Sequence, residues 1–294
     1  MRRVALVFSV VFALLSIAPP LGAEEIRLDG EFIQGGLVRG TAPPGTTITL
    51  DGRTLSLSAQ GHFVFGFGRD AAGTAQLVLI APGGEPETRT LTIAARKYNI
   101  QRIEGLPQKM VTPPPETLAR IRAESARVRA AREFDTAEVH FSAIFVWPAQ
   151  GWISGVYGSQ RILNGAPRQP HYGVDIAAPT GTTVRAPAGG KIRLAEADLY
   201  YSGGTIILDH GHGLSSSFLH MSRVDVIVGQ QVVQGEVLGA IGATGRVTGA
   251  HLDWRMNWFD QRLDPELLVP PLVPPLVPPQ VPPQGPTPKP KPEF

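Results

Sequence analysis

The chain of 294 residues contains no cysteine. That absence excludes a disulfide framework, a lipid attached through cysteine behind an export signal, and a thiol nucleophile. An excess of one charge is lacking as well: 27 Lys+Arg stand against 25 Asp+Glu, a formal net charge of +2. Such a balance reads as a mixed-charge surface and points to no nucleic-acid partner. Beyond Ala18 there is no apolar run long enough to cross a bilayer as a helix. With 43% hydrophobic residues the chain can build real cores, and these cores, or a bound metal, must hold it in place of disulfides.

The chain starts "MRRVALVFSVVFALLSIAPPLGAEE": two arginines, an apolar run from Val4 to Ala18, then Pro19, Pro20 and small residues up to Ala23. This layout predicts a secretory signal peptide over residues 1–23, cleaved before Glu24. The apolar run is short for a membrane anchor, so export to the periplasm or cell envelope is the expectation.

Residues 24–97 carry strand signals. "TTITLDGRTLSLS" alternates Ile48 and Leu50 with polar residues, turns at Asp51-Gly52, and alternates again through Leu55 and Leu57. Asp-Gly between alternating segments is a strong two-residue hairpin signal. Phe63, Phe65 and Phe67 then share one face, and the segment reads as a small β-sandwich in which His62 is a structural residue. Residues 98–140 read as a linker. Within it Leu118, Ile121, Ser125 and Val128 recur at helical spacing, ringed by arginines, as expected of a basic helix with a solvated face.

Residues 141–268 form a second β-rich region whose short strands are punctuated by glycine, a pattern that predicts a barrel-like or sandwich fold. The whole is therefore expected to be all-β apart from one linker helix. Residues 269–294 repeat "LVPP" and cannot form a core. A polyproline II tail is expected there, its partner, if any, unspecified.

Metal- and base-capable side chains gather in the second region: His171 and Asp175 in "HYGVD", Asp209, His210 and His212 in "DHGHG", His220 in "SSFLHMS", and His251 and Asp253 in "HLD". Two apart on a strand, His251 and Asp253 point to one face. Zinc accepts imidazole nitrogen and carboxylate oxygen, and a catalytic zinc site keeps three protein ligands and an open position. Singly none of these motifs is specific. Asp209, His210 and His212 read as hairpin residues, with His210 also placed to line a groove.

In order and spacing, "HYGVDIAAPTGTTVRAPAGGKI", "ILDHGHGLSSSFLHMS" and "VGQQVVQGEVLGAIGATGRVTGAHLDW" resemble the M23 metallopeptidases, the LytM or lysostaphin-like domains. The resemblance implies a LytM-like fold over residues 141–268 and an exported hydrolase acting on peptidoglycan cross-links. It also implies His171 and Asp175 as metal ligands and His220 and His251 as catalytic residues. The family's final motif is His-x-His, its second histidine being the third ligand, and here that position is Asp253. A His/Asp/Asp set implies Zn2+ held less acidically, or a harder ion such as Mn2+. The other reading is an inactive LytM-like domain that binds the wall or regulates another hydrolase. Glycine-punctuated hairpins also suit a lipoyl or biotin carrier, but the lysine such a module needs at its hairpin tip is missing.

Overall fold

The computed structural model describes residues 26–103, 115–163 and 165–272. The expected signal peptide lies outside the described residues, and so does the proline tail from residue 273 onward. As expected, the molecule is all-β, with a single α-helix among the described residues.

The first module consists of β1 (Arg27–Gly30), β2 (Leu37–Thr41), β3 (Thr47–Leu50), β4 (Arg53–Leu55), β5 (His62–Gly66), β6 (Thr74–Ile80) and β7 (Glu87–Thr92). They form a three-stranded sheet β1-β2-β5 and a four-stranded sheet β4-β3-β6-β7. Asp51 and Gly52 take φ of 47° and 84°, the left-handed pair a tight hairpin needs, so Leu50 lies opposite Arg53. The inward residues Ile48, Leu77, Phe63 and Phe65 are fully buried.

Next come β8 (Ile100–Ile103) and the helix α1 (Pro115–Ala130). The second module then adds β9 (Trp152–Gly155), β10 (Gln160–Leu163), β11 (Ala166–Pro167), β12 (Val174–Ala177), β13 (Thr183–Arg185) and β14 (Gly190–Leu199). After these come β15 (Gly203–Gly211), β16 (Leu214–Val224), β17 (Gln231–Val232), β18 (Val237–Ile241), β19 (His251–Trp258) and β20 (Gln261–Leu263). Ten of these strands make one sheet whose main path runs β17-β14-β15-β16-β19-β12-β9. Long strands buried on both faces lie at its centre, and every residue of β15 is buried.

The segment expected to be a linker does more than connect. β8 pairs in parallel with β10, Ile100 opposite Gln160, and ties the segment to the second module. The helix is docked on the sheet, not held free by a solvated face. Its buried residue is Glu124, which binds Arg120 at 2.6 Å and accepts the Tyr200 amide at 2.8 Å. Arg127 pairs with Glu196 at 3.0 Å, and Val128 packs against Leu194, Leu199 and Ile207. Ser125, by contrast, is exposed.

Alternation divides β19 cleanly. Leu252, Trp254 and Met256 are fully buried in the core, while His251, Asp253, Arg255 and Asn257 share the opposite face. His210 belongs to the core, where its side chain is fully buried. Its Nδ1 is 2.7 Å from the Gly189 carbonyl, its Nε2 is 2.8 Å from Ser216 Oγ, and its ring packs edge-on against Phe145.

Burial pushes His210 down to about 4. Between that value and the ordinary 6.5 of the unfolded chain, only the unfolded state binds the proton, so stability must fall as pH drops through this window. The expected loss is about 3 kcal/mol on going fully below it. Urea denaturation across pH 4 to 7 should show a shallower acid slope for His210→Gln than for the native chain; equal slopes would mean His210 does not carry the effect.

Candidate metal centre

The centre is built where β12 and β19 lie side by side. Their register puts Asp175 directly opposite Asp253, and Ala177 opposite His251. Two carboxylates facing each other across an antiparallel pair repel, so the arrangement calls for cations between or beside them. On one side stands His171, whose Nε2 is 3.2 Å from Asp175 Oδ1. Both of those atoms are shut off from solvent and neither makes a hydrogen bond. His251 Nε2 approaches the same Asp175 oxygen at 3.8 Å.

His171, Asp175 and Asp253 each offer a ligand atom, all within 4.8 Å of one another. Their chemistry fits a divalent ion: one imidazole, two carboxylates, and two unsatisfied buried atoms at about the separation of neighbouring ligands around zinc. Burial opposes charge on His171, but the neighbouring carboxylates of Asp175 and Asp253 outweigh it and hold the imidazole above its ordinary value.

Asp253 has a partner of its own. Arg255, two residues along on the same face, donates from Nε to Oδ1 at 2.9 Å and to Oδ2 at 3.0 Å, and from Nη2 to Oδ2. Burial pushes Asp253 up, yet this guanidinium outweighs it and keeps the carboxyl below the usual range. A carboxylate carries about four lone-pair sites, so a fork-bound Asp253 still has lone pairs for an ion. The charge count is instructive. Asp253 with Arg255 is net neutral, as an imidazole is, so the site with a divalent ion keeps the single net positive charge of a two-His, one-Asp set.

Close approach is secured by glycine. A Cβ on Gly173 would lie 2.6 Å from Asp253 Oδ1 and 2.6 Å from Arg255 Cγ; one on Gly155 would lie 2.2 Å from Asp175 Oδ2. Neither residue can gain a side chain without displacing a carboxylate.

Facing the carboxylates are His220 and His251, ring centroids 4.9 Å apart. Strict alternation along β16 would send His220 to the core beside Phe218. Its φ of 66°, rare for a residue with a Cβ, is where the strand departs from alternation as it reaches the site. His220 Nδ1 donates to the Thr244 carbonyl at 2.9 Å and His251 Nδ1 to the Gly249 carbonyl at 2.9 Å. Since a carbonyl only accepts, both rings carry their proton on Nδ1 when neutral and leave Nε2 with its lone pair. Burial also lowers His220 from its ordinary value, which favours that neutral form. Thr244 is itself fixed: its hydroxyl accepts from the Gly204 amide at 2.9 Å and donates to the Met221 carbonyl at 2.8 Å.

The five residues singled out from sequence thus lie together. Asp209 and His212 stay apart: Asp209 is engaged by Arg193 at 2.8 Å and Thr136 at 3.0 Å, and His212 packs on Phe141. Sequence reasoning missed Arg255, although the alternation that pairs His251 with Asp253 extends to it, and it missed Thr244, which no local pattern marks.

Residues 169–265 match the family model described as Peptidase family M23. Cell division protein DipM of Caulobacter vibrioides is 32% identical over 148 residues, half of this chain and 23% of DipM. Peptidoglycan DD-endopeptidase ShyA of Vibrio cholerae is 37% identical over 87 residues, 30% of this chain and 20% of ShyA. The chain therefore spans only about a fifth of the length of these curated relatives. A crystal structure assigned as a peptidase M23 from Pseudomonas aeruginosa superposes with a TM-score of 0.63 at 29% identity, covering 81% of this chain and 95% of that one.

Removing the Asp253 carboxylate strands the Arg255 charge. Asp253→Ala is expected to cost about 3 kcal/mol, and Asp253→Ala combined with Arg255→Met to regain most of it. Urea midpoints decide: a double variant no more stable than the single would deny the coupling.

Proposed function

We propose that the chain, whose residues 169–265 match peptidase family M23, is a metal-dependent endopeptidase, exported to the cell envelope, that hydrolyses peptide cross-links of bacterial peptidoglycan. One observation carries the reading: two buried ligand atoms without hydrogen bonds, His171 Nε2 and Asp175 Oδ1, meet at 3.2 Å beside Asp253 and in front of two tautomer-fixed histidines. Peptidoglycan as the substrate is supported by the similarity to ShyA, a peptidoglycan DD-endopeptidase.

His171, Asp175 and Asp253 would hold the ion, zinc or a harder divalent cation such as manganese. Bound there, it would act as a Lewis acid on the scissile carbonyl and acidify the attacking water. The remaining work falls to this chain's own residues. His251, its Nε2 beside Asp175, is placed to accept the proton of the attacking water. His220 Nε2, held next to it by the Thr244 carbonyl, is placed to take over that proton, hydrogen-bond the developing oxyanion with it, and release it to the leaving amine nitrogen as the peptide bond breaks. Arg255 keeps Asp253 ionised and offsets its additional negative charge, so that the positive field needed to polarise a carbonyl is preserved. No covalent acyl intermediate is required.

The occupation of both Asp253 oxygens by Arg255 also favours a second reading, an inactive domain that binds the wall. Digestion of purified sacculi separates the two. The native protein should release new amino termini, and His220→Ala and His251→Ala should each lose about a hundred- to ten-thousand-fold of that rate. Sedimentation with sacculi without any release, under metal resupply, would select the binding module.

A further inference from the structure

Beside the metal centre, between α1 and the site face of the sheet, lies a cavity of about 770 Å³. Five arginines line it, and three of them, Arg255, Arg262 and Arg132, approach one another. Arg255 comes from β19; Arg262 comes from β20, where it sits opposite Asn257; and Arg132 follows the end of α1 and reaches Ser217, the β16 residue opposite Arg255. Arg255 is committed to Asp253. The other two have no carboxylate partner among the described residues. Arg132 Nη2 donates to Ser217 Oγ at 3.1 Å, while its Nε is sealed from solvent and bonds to nothing. Arg262 Nη1 donates to Asn257 Oδ1 at 3.2 Å, and its guanidinium lies 5.5 Å from the centre of the Tyr172 ring.

A guanidinium cannot shed its proton to escape burial, so clustered arginines without anions are costly in the free protein. Burial, then repulsion from Arg262 and Arg255, pushes Arg132 below the ordinary arginine value, and burial, then repulsion from Arg255, does the same to Arg262. The acids around the cavity do not relieve them. Glu124 is held by Arg120 and the Tyr200 amide, Asp260 faces Arg53 at 3.4 Å from an exposed position, and Glu133 is exposed.

We propose that this cavity is a carboxylate subsite, in which Arg132 and Arg262 receive a free carboxylate of the peptide being cut. The assignment rests on the peptidase reading for the identity of its ligand. Arg132 meets the β19 face at the level of Arg255 and Arg262 at that of Asn257, about 7 to 13 Å along the strand from Asp253, so the carboxylate belongs about two to four residues of extended peptide away from the scissile bond. Leu219 and Phe259 give the cavity apolar walls for the intervening side chains. An inorganic oxyanion shares the charge but not those contacts.

The test is calorimetric titration of the mature protein, at low salt, with an N-acetylated alanine pentapeptide as the free acid, with its C-terminal amide, and with inorganic phosphate. The free acid should bind about ten-fold or more tightly than the amide, and more tightly than phosphate. That preference should persist in His171→Ala, which lacks a metal ligand, and vanish in Arg132→Met and Arg262→Met, whose folding is checked by thermal melting. Equal binding of acid and amide would overturn the subsite, and so would loss of the preference in His171→Ala, which would assign the carboxylate to the metal. Tighter phosphate binding would replace the peptide carboxylate by an inorganic anion. The native acid-to-amide comparison decides even if an arginine variant fails to fold. The His171→Ala arm separates the subsite from the peptidase reading, because it can succeed where hydrolysis fails.

Discussion

The backbone register that sets Asp175 opposite Asp253 is the constraint around which the site is arranged. Two negative charges on neighbouring strands, largely withdrawn from water, are tolerable only with positive charge close by. The fold supplies it from two directions. His171 stands on the Asp175 side, and Arg255 grips Asp253 from the same strand. A divalent ion between the carboxylates would complete the balance. The Asp253–Arg255 pair, neutral as a whole, would then do the electrostatic work of the imidazole that the motif resemblance implies there, with a shorter ligand and a fixed counter-charge behind it.

Much of the surrounding structure serves that juxtaposition. Gly155 and Gly173 leave room for carboxylate oxygens that a methyl group would displace. The left-handed backbone at His220 departs from strand alternation where the imidazole meets the site, and the doubly bonded Thr244 hydroxyl steadies the carbonyl that fixes the tautomer. The core beneath, with Trp254, Met256 and Phe218 fully buried, makes the face above it rigid. The helix adds a roof. By docking through Glu124 and Arg120 it converts one flank of the site face into a walled cavity instead of open sheet.

Local chemistry made parts of this legible in the sequence. Asp51-Gly52 declares its hairpin because two-residue turns with both φ positive tolerate few other residues. Motif resemblance points to the site residues, and alternation puts His251 and Asp253 on one face. Carrying the same alternation two residues further would have exposed Arg255. Other features had no local signal. β8 pairs with a strand some sixty positions away. The helix buries a glutamate, which any hydrophobic pattern assigns to solvent, so its docking could not be read from apolar spacing. Arg132 gains its meaning only from Arg255 and Arg262, distant in sequence and adjacent in space.

The central claim is that a carboxylate neutralised by arginine still completes a metal site. Elemental analysis of the mature protein, purified without chelator and compared with His171→Ala, tests it most directly. The account predicts about one equivalent of zinc or manganese in the native chain and its loss in the variant. A native chain that holds no divalent metal even after resupply would contradict it, and would make the grip of Arg255 on Asp253 a replacement for the ion.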